Sequence, residues 1–133
     1  MIFVDTNVFM YAVGREHPLK KRARTVFERA IDEPGKPLVT SAEVLQELLH
    51  AYLPVDRMAT LNDALELVAR AVHEVWSIEP EDVHQAVELA GANPALGARD
   101  LIHLACCQRR GVREIRTFDR ALNAAFLQPA NSL

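Results

Sequence analysis

Short apolar segments alternate with longer amphipathic ones along this chain, and that alternation is what most limits its fold. Four segments have the composition of short buried strands, at residues 2–4, 37–40, 75–78 and 112–117. The segments between them carry apolar residues at helical spacing, with charged residues on the other faces. Strands that alternate with helices predict an α/β domain with a mostly parallel sheet.

Proline, glycine and polar residues predict where the helices begin and end. The predicted helices run from Pro18 to about residue 33, over 41–53, over 58–74 with Asp56 as the cap, from Pro80 to about residue 90, over 99–110 ahead of Gly111, and from Asp119 onward. We find no linker, repeat or low-complexity tract in the 133 residues, so we expect one domain spanning 1–133.

Composition limits the cellular setting. No apolar run approaches the ~20 residues of a membrane span, and the N-terminus has no export-signal pattern. The two cysteines, Cys106 and Cys107, are neighbours that cannot easily pair, so we expect them in the core of a cytoplasmic protein.

Acidic residues follow the predicted strands, where the ligand sites of parallel sheets lie. Asp5 follows the first strand within an apolar stretch, Asp119 follows the fourth, and Asp100 opens the helix after Gly97. Each also has a purely structural interpretation. Asp5 could begin a solvated turn, Asp100 could serve the positive end of its helix, and Asp119 could cap the last helix.

Two glutamates compete for a fourth position. Glu43 could close a capping box with Thr40, its side chain reaching back to the Thr40 amide. Glu47 has no such role and lies among apolar neighbours, although it could simply face solvent. We therefore favour Glu47 over Glu43 as the site residue.

Four carboxylates at one place predict a bound cation, because like charges within ~4–6 Å destabilise one another. An all-oxygen set, with no His or Cys in matching places, favours Mg²⁺, with Mn²⁺ possible. Such a site suits phosphodiester hydrolysis.

The net charge of −3 at first argues against a nucleic-acid substrate. With the four site carboxylates neutralised by metal, the remaining charge is +1. A basic cluster could then contact phosphates or form a solvated helix face: Arg15, His17, Lys20, Lys21, Arg22 and Arg24.

Four segments in this order, FVDTNVFMYA, TSAEVLQELLH, ARDLIHLACC and IRTFDRAL, resemble the PIN-domain nucleases, and within them the VapC toxins of toxin–antitoxin pairs. The resemblance implies a PIN-like α/β/α sandwich and a Mg²⁺-dependent endoribonuclease. Matched by motif, the catalytic residues are Asp5, Glu47, Asp100 and Asp119, with Asp5 and Asp100 as metal ligands and Thr6, Asn7 and Thr117 as supporting groups.

Two positions need comment against the family pattern. A further acid often follows the last aspartate in such nucleases, but residues 120–123 read RALN, so a second metal site is expected to be weak. His103, one turn after Asp100, we interpret as a packed helix residue rather than a base.

The resemblance also implies an RNA substrate, a cognate antitoxin and a homodimer. Leu49, Tyr52 and Leu53 could serve a protein contact or belong to the core. Alternatives remain open: a PIN nuclease with an RNA-processing role, or a non-catalytic Mg²⁺-binding α/β module. A haloacid-dehalogenase-type phosphatase needs a second Asp where this chain has Asn7, and a receiver domain needs a Lys that the fourth strand lacks.

Overall fold

A computed structural model describes residues 1–128 and contains one four-stranded sheet within them. The strands are β1 (Ile2–Val4), β2 (Leu38–Ser41), β3 (Val72–Trp76) and β4 (Glu114–Arg116). They lie in the order β3-β2-β1-β4, and every neighbouring pair is parallel. The carboxyl ends of all four strands therefore meet at one edge of the sheet.

Helices connect the strands and flank the sheet, which confirms the predicted α/β/α architecture. In residues 1–128 these are α1 (Thr6–Val13), α2 (Lys20–Asp32), α3 (Ala42–Tyr52), α4 (Met58–Ala71), α5 (Pro80–Leu89), α6 (Ala98–Arg109) and α7 (Arg120–Leu127). None of these helices is both long and apolar enough to cross a membrane.

The core forms where the central strands meet the helices. Phe3, Val4 and Val39 of β1 and β2 are completely or almost completely buried. Cys106 and Cys107 of α6 are buried and unpaired, as predicted. Burial raises the pKa of the Cys106 thiol to about 12, so this residue packs as a small apolar group.

The sequence-based prediction missed one helix, misplaced the boundary between α4 and β3, and made the fourth strand too long, at 112–117 instead of Glu114–Arg116. Helix α1, directly after Asp5, was not predicted, because its eight residues follow β1 without a separate turn. Helix α4 ends at Ala71 instead of residue 74, and β3 begins at Val72 instead of Val75. Val72 pairs with Leu38, so pairing with β2 replaces the last helical turn that the apolar spacing suggested.

Two predicted caps are wrong. Thr40 lies in β2 and its hydroxyl donates to the carbonyl of Val4 (2.9 Å), so it forms no capping box with Glu43. Asp56 does not cap α4, whose N-cap is Arg57. Asp56 instead adopts a left-handed backbone conformation (φ 55°) in the preceding turn, which aspartate tolerates better than most residues.

Candidate active site

The four predicted carboxylates line one cavity of about 270 Å³ at the carboxyl edge of the sheet. They come from four places in the chain: Asp5 between β1 and α1, Glu47 in α3, Asp100 in α6, and Asp119 before α7. Glu43 lies on the same helix as Glu47, but it is not among the described residues that line this cavity. The catalytic role of the four residues stays a prediction.

Asp5 is almost completely buried, and hydrogen bonds fix the orientation of its side chain. One carboxylate oxygen accepts from the Thr6 amide (2.8 Å), and the other accepts from the Thr117 hydroxyl (2.7 Å). The Asp5 amide donates to the carbonyl of Arg116 (3.0 Å), which joins the site to β4. Burial raises the pKa of Asp5, and the neighbouring charge of His103 and these hydrogen bonds only partly oppose it.

A short polar network aligns the end of β4 with α1. Asn7 accepts from the Phe118 amide (3.2 Å), and its side-chain amide lies 3.5 Å from the Thr117 hydroxyl. The same hydroxyl accepts from the Asp119 amide (3.0 Å). The Asp119 carboxylate accepts from the Leu122 amide (2.9 Å), so Asp119 caps α7 and also lines the cavity.

His103 is the main correction to the expected donor set. It is completely buried and packs on the ring of Phe3, yet its Nε2 lies 2.6 Å from Glu47 and 3.6 Å from Asp5. A histidine therefore lies within a cluster that the sequence predicted to contain only oxygen groups. Burial lowers the pKa of His103, but the hydrogen bond with Glu47 and the charges of Asp5 and Asp100 outweigh burial, so the pKa is raised.

Asp100 shows that the site is crowded with negative charge. Burial and the nearby carboxylates of Asp5 and Asp119 raise its pKa to about 6, against a weaker opposing effect of His103. A carboxylate in this position is destabilised near neutral pH unless a cation lies beside it.

The residues present fit a divalent cation. One donor atom each from Asp5, Glu47 and His103 lie within 4.8 Å of one another. The Thr6 hydroxyl, which also lines the cavity, is buried without a hydrogen-bond partner in the described chain. The carboxylates that line the cavity and the unsatisfied Thr6 hydroxyl form an oxygen donor set that Mg²⁺ or Mn²⁺ and its waters can satisfy, while His103, bonded to Glu47, balances part of the negative charge.

The sequence analysis missed Arg99 and His50, and it interpreted His103 as a packed helix residue without predicting its bond to Glu47. Arg99 and His50 line the cavity, and His103 bonds to Glu47. A signal existed for His103, because it lies three residues after Asp100 and so on the same helix face. A signal also existed for Arg99, because it directly precedes Asp100 in the first turn of α6.

Four of the six residues of the predicted basic cluster fall into two groups, and Arg22 lies over the ring of Phe118, 5.4 Å from its centroid. Lys20 and Arg24 donate to backbone carbonyls at Gly14 (2.8 Å) and Ala12 (3.3 Å), so they fasten α2 to α1. Arg15 and His17 instead line a cavity next to the carboxylates.

Residues 2–126 match the PIN-domain family. The chain belongs to the PIN-domain family. It is 60% identical over 126 residues to ribonuclease VapC23 of Mycobacterium tuberculosis, an alignment that covers 95% of this chain and 98% of the relative. It is also 37% identical over 124 residues to ribonuclease VapC13 of the same species, with 93% and 94% covered. The resemblance to VapC proteins is thereby confirmed.

Solved PIN structures share the fold. The crystal structure of VapC20 of M. tuberculosis, a toxin that cleaves the sarcin–ricin loop, aligns with a TM-score of 0.70 at 21% identity, covering 94% of this chain and 95% of that one. VapBC2 of Rickettsia felis, bound to a DNA fragment from its promoter, aligns with a TM-score of 0.69 at 18% identity, covering 90% and 89%.

Proposed function

We propose that this PIN-domain protein is a metal-dependent endoribonuclease of the VapC type, and that it cleaves RNA at the carboxylate cavity. The observation that carries this proposal is the meeting of four carboxylates from four separate places around one cavity. The relatives named ribonuclease, aligned over nearly the whole chain, supply the class of substrate.

Asp5 and Asp100 would hold the cation, which we propose to be Mg²⁺, with Mn²⁺ as a substitute. When bound, it would supply a nucleophilic hydroxide near neutral pH and neutralise charge that develops on the phosphate.

Side chains of the protein would position the carboxylates, the attacking water and the phosphate. Thr117 and the Thr6 amide orient the two oxygens of Asp5, and Asn7 holds the loop that carries Thr117. Glu47, aligned by His103, and Asp119 would orient water toward the phosphorus atom. Arg99, at the wall of the cavity, can pair with a phosphate oxygen.

The direct test is cleavage of a single-stranded RNA by the purified protein with Mg²⁺, and again with excess EDTA. We expect cleavage that needs the metal and leaves single-stranded DNA of the same sequence intact. Equal cleavage in EDTA would overturn the metal dependence, and no cleavage of a broad RNA pool would overturn the function.

Magnesium should raise the melting temperature, and more so at higher pH. The pKa of Asp100 is raised to about 6, so the metal-free fold loses stability as pH rises from about 4 to 6. The raised pKa of His103 acts in the same direction, because its stabilisation is lost above that pKa. A cation that favours the ionised carboxylates reverses this trend. At a hundredfold excess over Kd, Mg²⁺ adds about 2.7 kcal/mol.

Differential scanning fluorimetry at about pH 5 and about pH 7.5, with and without Mg²⁺, measures this effect. The increment should be clearly larger at the higher pH. Equal increments would show that Mg²⁺ does not bind at the titrating carboxylates.

Glu47→Gln and Glu43→Gln form a matched pair one turn apart on α3. Glu47→Gln breaks the ion pair with His103 and should lower kcat by about 10- to 100-fold. Glu43→Gln, outside the cavity lining, should leave kcat within about threefold of wild type. Steady-state cleavage of a fluorescent RNA measures both. The reverse ranking would move the site glutamate to Glu43.

We further propose that the protein acts in the cytoplasm as the toxin of a toxin–antitoxin pair, and that it forms a homodimer. Exposed apolar side chains in the second half of α3, in the following turn and at the start of α4 support a protein contact there: Leu49, Leu53, Val55 and Met58. Tyr52 is buried and belongs to the core. Growth arrest on expression, relieved by the protein encoded by a neighbouring small reading frame, tests the toxin role.

A further inference from the structure

A second cavity, of about 350 Å³, adjoins the carboxylate cavity. Asn7 and Met10 line both cavities, so the two spaces share a wall. The second cavity differs in chemistry, because rings and cations outnumber its one carboxylate, Glu16, which pairs with Lys20 (3.6 Å). The rings and cations are Tyr11, Arg15, His17, Tyr52 and Arg57. Its volume lies at the lower end of the range of small-molecule sites.

The accessible rings of this cavity are held in fixed positions. The ring centroids of Tyr11 and His17 lie 4.6 Å apart, and Phe118 meets Tyr11 edge-on at 5.4 Å. The Leu19 amide donates to Nδ1 of His17 (3.1 Å), which fixes the orientation of that imidazole. Tyr11 is only half-buried and His17 is exposed, so this aromatic pair reaches the surface.

Polar groups beside these rings are available to a ligand. Within residues 1–128, neither the Tyr11 hydroxyl nor Nε2 of His17 makes a hydrogen bond, and Arg15 makes no ion pair. Arg57 lies over the ring of Tyr52, 5.9 Å from its centroid. Fixed rings with free donors and a free guanidinium are the groups that bind unstacked bases of single-stranded RNA.

We propose that this cavity binds a nucleobase of the RNA strand, on a nucleotide next to the phosphate held at the carboxylates, and so selects which RNA sites are cut. The inference rests on the proposed ribonuclease function. The base stacks on the Tyr11–His17 pair, and Arg15 contacts the phosphate of the same nucleotide. Asn7 and Met10, shared by both cavities, place the base subsite directly beside the carboxylates.

The test measures binding in an Asp5→Asn background, where the strand is not cut. The probes are fluorescein-labelled 12-mers of U, A or C, and an abasic 12-mer that has the ribose–phosphate chain without bases. Tyr11→Leu keeps apolar bulk but removes the ring, and should weaken binding of the best base-containing 12-mer about tenfold. Tyr11→Phe keeps the ring and should retain most of the binding. Neither change should alter binding of the abasic strand.

A second pair of variants tests how much the positive charge of the cavity contributes to binding. Arg15→Ala should weaken binding of all four strands, whereas Arg113→Ala, an equal change of charge at the amino end of β4, should have little effect. His17→Ala, at an exposed position, replaces Tyr11→Leu if that variant does not fold.

The possible outcomes distinguish failure of the base subsite from failure of the proposed ribonuclease function. If the wild-type protein cleaves RNA with Mg²⁺ but Tyr11→Leu and Tyr11→Phe bind alike, the base subsite is refuted and the function stands. An abasic strand that binds as tightly as the others refutes the subsite in the same way, and leaves the cavity for a segment of a protein partner. If the wild-type protein cuts no RNA and the Asp5→Asn variant binds none, both proposals fail.

Discussion

Replacing Asp5 by Asn should abolish RNA cleavage, with kcat/KM falling of the order of a thousandfold, while the fold stays intact. The side chain lies at the cavity and would hold the cation, so loss of its charge removes a ligand without changing volume. The amide oxygen of Asn can still accept from Thr6, so the substitution costs one hydrogen bond, the one that the Thr117 hydroxyl donates, while that hydroxyl still accepts from the Asp119 amide. Burial raises the pKa of Asp5, so removing this charge should not lower the metal-free melting temperature.

The matched control is Asp32→Asn, which removes the same charge at the exposed end of α2 and should cleave like wild type. Cleavage rates under single-turnover conditions and melting curves in EDTA complete the test. If Asp5→Asn kept more than about a tenth of wild-type activity, Asp5 could not be a metal ligand of the reaction.

Replacing Asp82 by Ala should produce the largest loss of stability, about 3 kcal/mol of unfolding free energy. Asp82 is completely buried and accepts from Arg109 (2.6 Å), Arg110 (2.8 Å) and the Glu79 amide (2.8 Å). Arg110 also lies over the ring of Trp76, 4.9 Å from its centroid. Without Asp82, the two arginines keep only weaker partners, so we expect the melting temperature to fall by about 10 °C.

The loss of unfolding free energy in Asp82→Ala should also depend on pH. Burial alone would raise the pKa of Asp82, but its hydrogen bonds with Arg110, the Glu79 amide and Arg109 hold it well below the usual value. Its stabilisation is therefore present above about pH 4 and is lost as pH falls below that value. Urea unfolding at several pH values measures the difference. Glu81→Ala, an exposed neighbour, is the control, and a loss below about 1 kcal/mol in Asp82→Ala would show that the arginines find other partners.

The positions of the site acids were readable from sequence because they follow from local rules. Asp5 and Asp119 come after short apolar segments, and parallel pairing brings the ends of those segments to one edge. Glu47 and Glu43 lie on one face of α3, and Glu47 was favoured for two reasons: its apolar neighbours, and a capping role for Glu43 that the structure does not contain.

Other features depend on contacts between distant segments, so local patterns could not reveal them. His103 looked like a core residue and is one, yet its partner Glu47 is 56 positions away. Asp82 meets two arginines that lie in and directly after α6, and nothing in its own segment marks it as buried. The start of β3 at Val72 was hidden because the apolar spacing of α4 continues into the strand.

Crystals of the wild-type protein grown with Mn²⁺ would test the central claim most directly, through an anomalous difference map. We expect one Mn²⁺ within ~2.2 Å of carboxylate oxygens of both Asp5 and Asp100. A map with no peak between these two residues, or with its strongest peak elsewhere on the molecule, would contradict it.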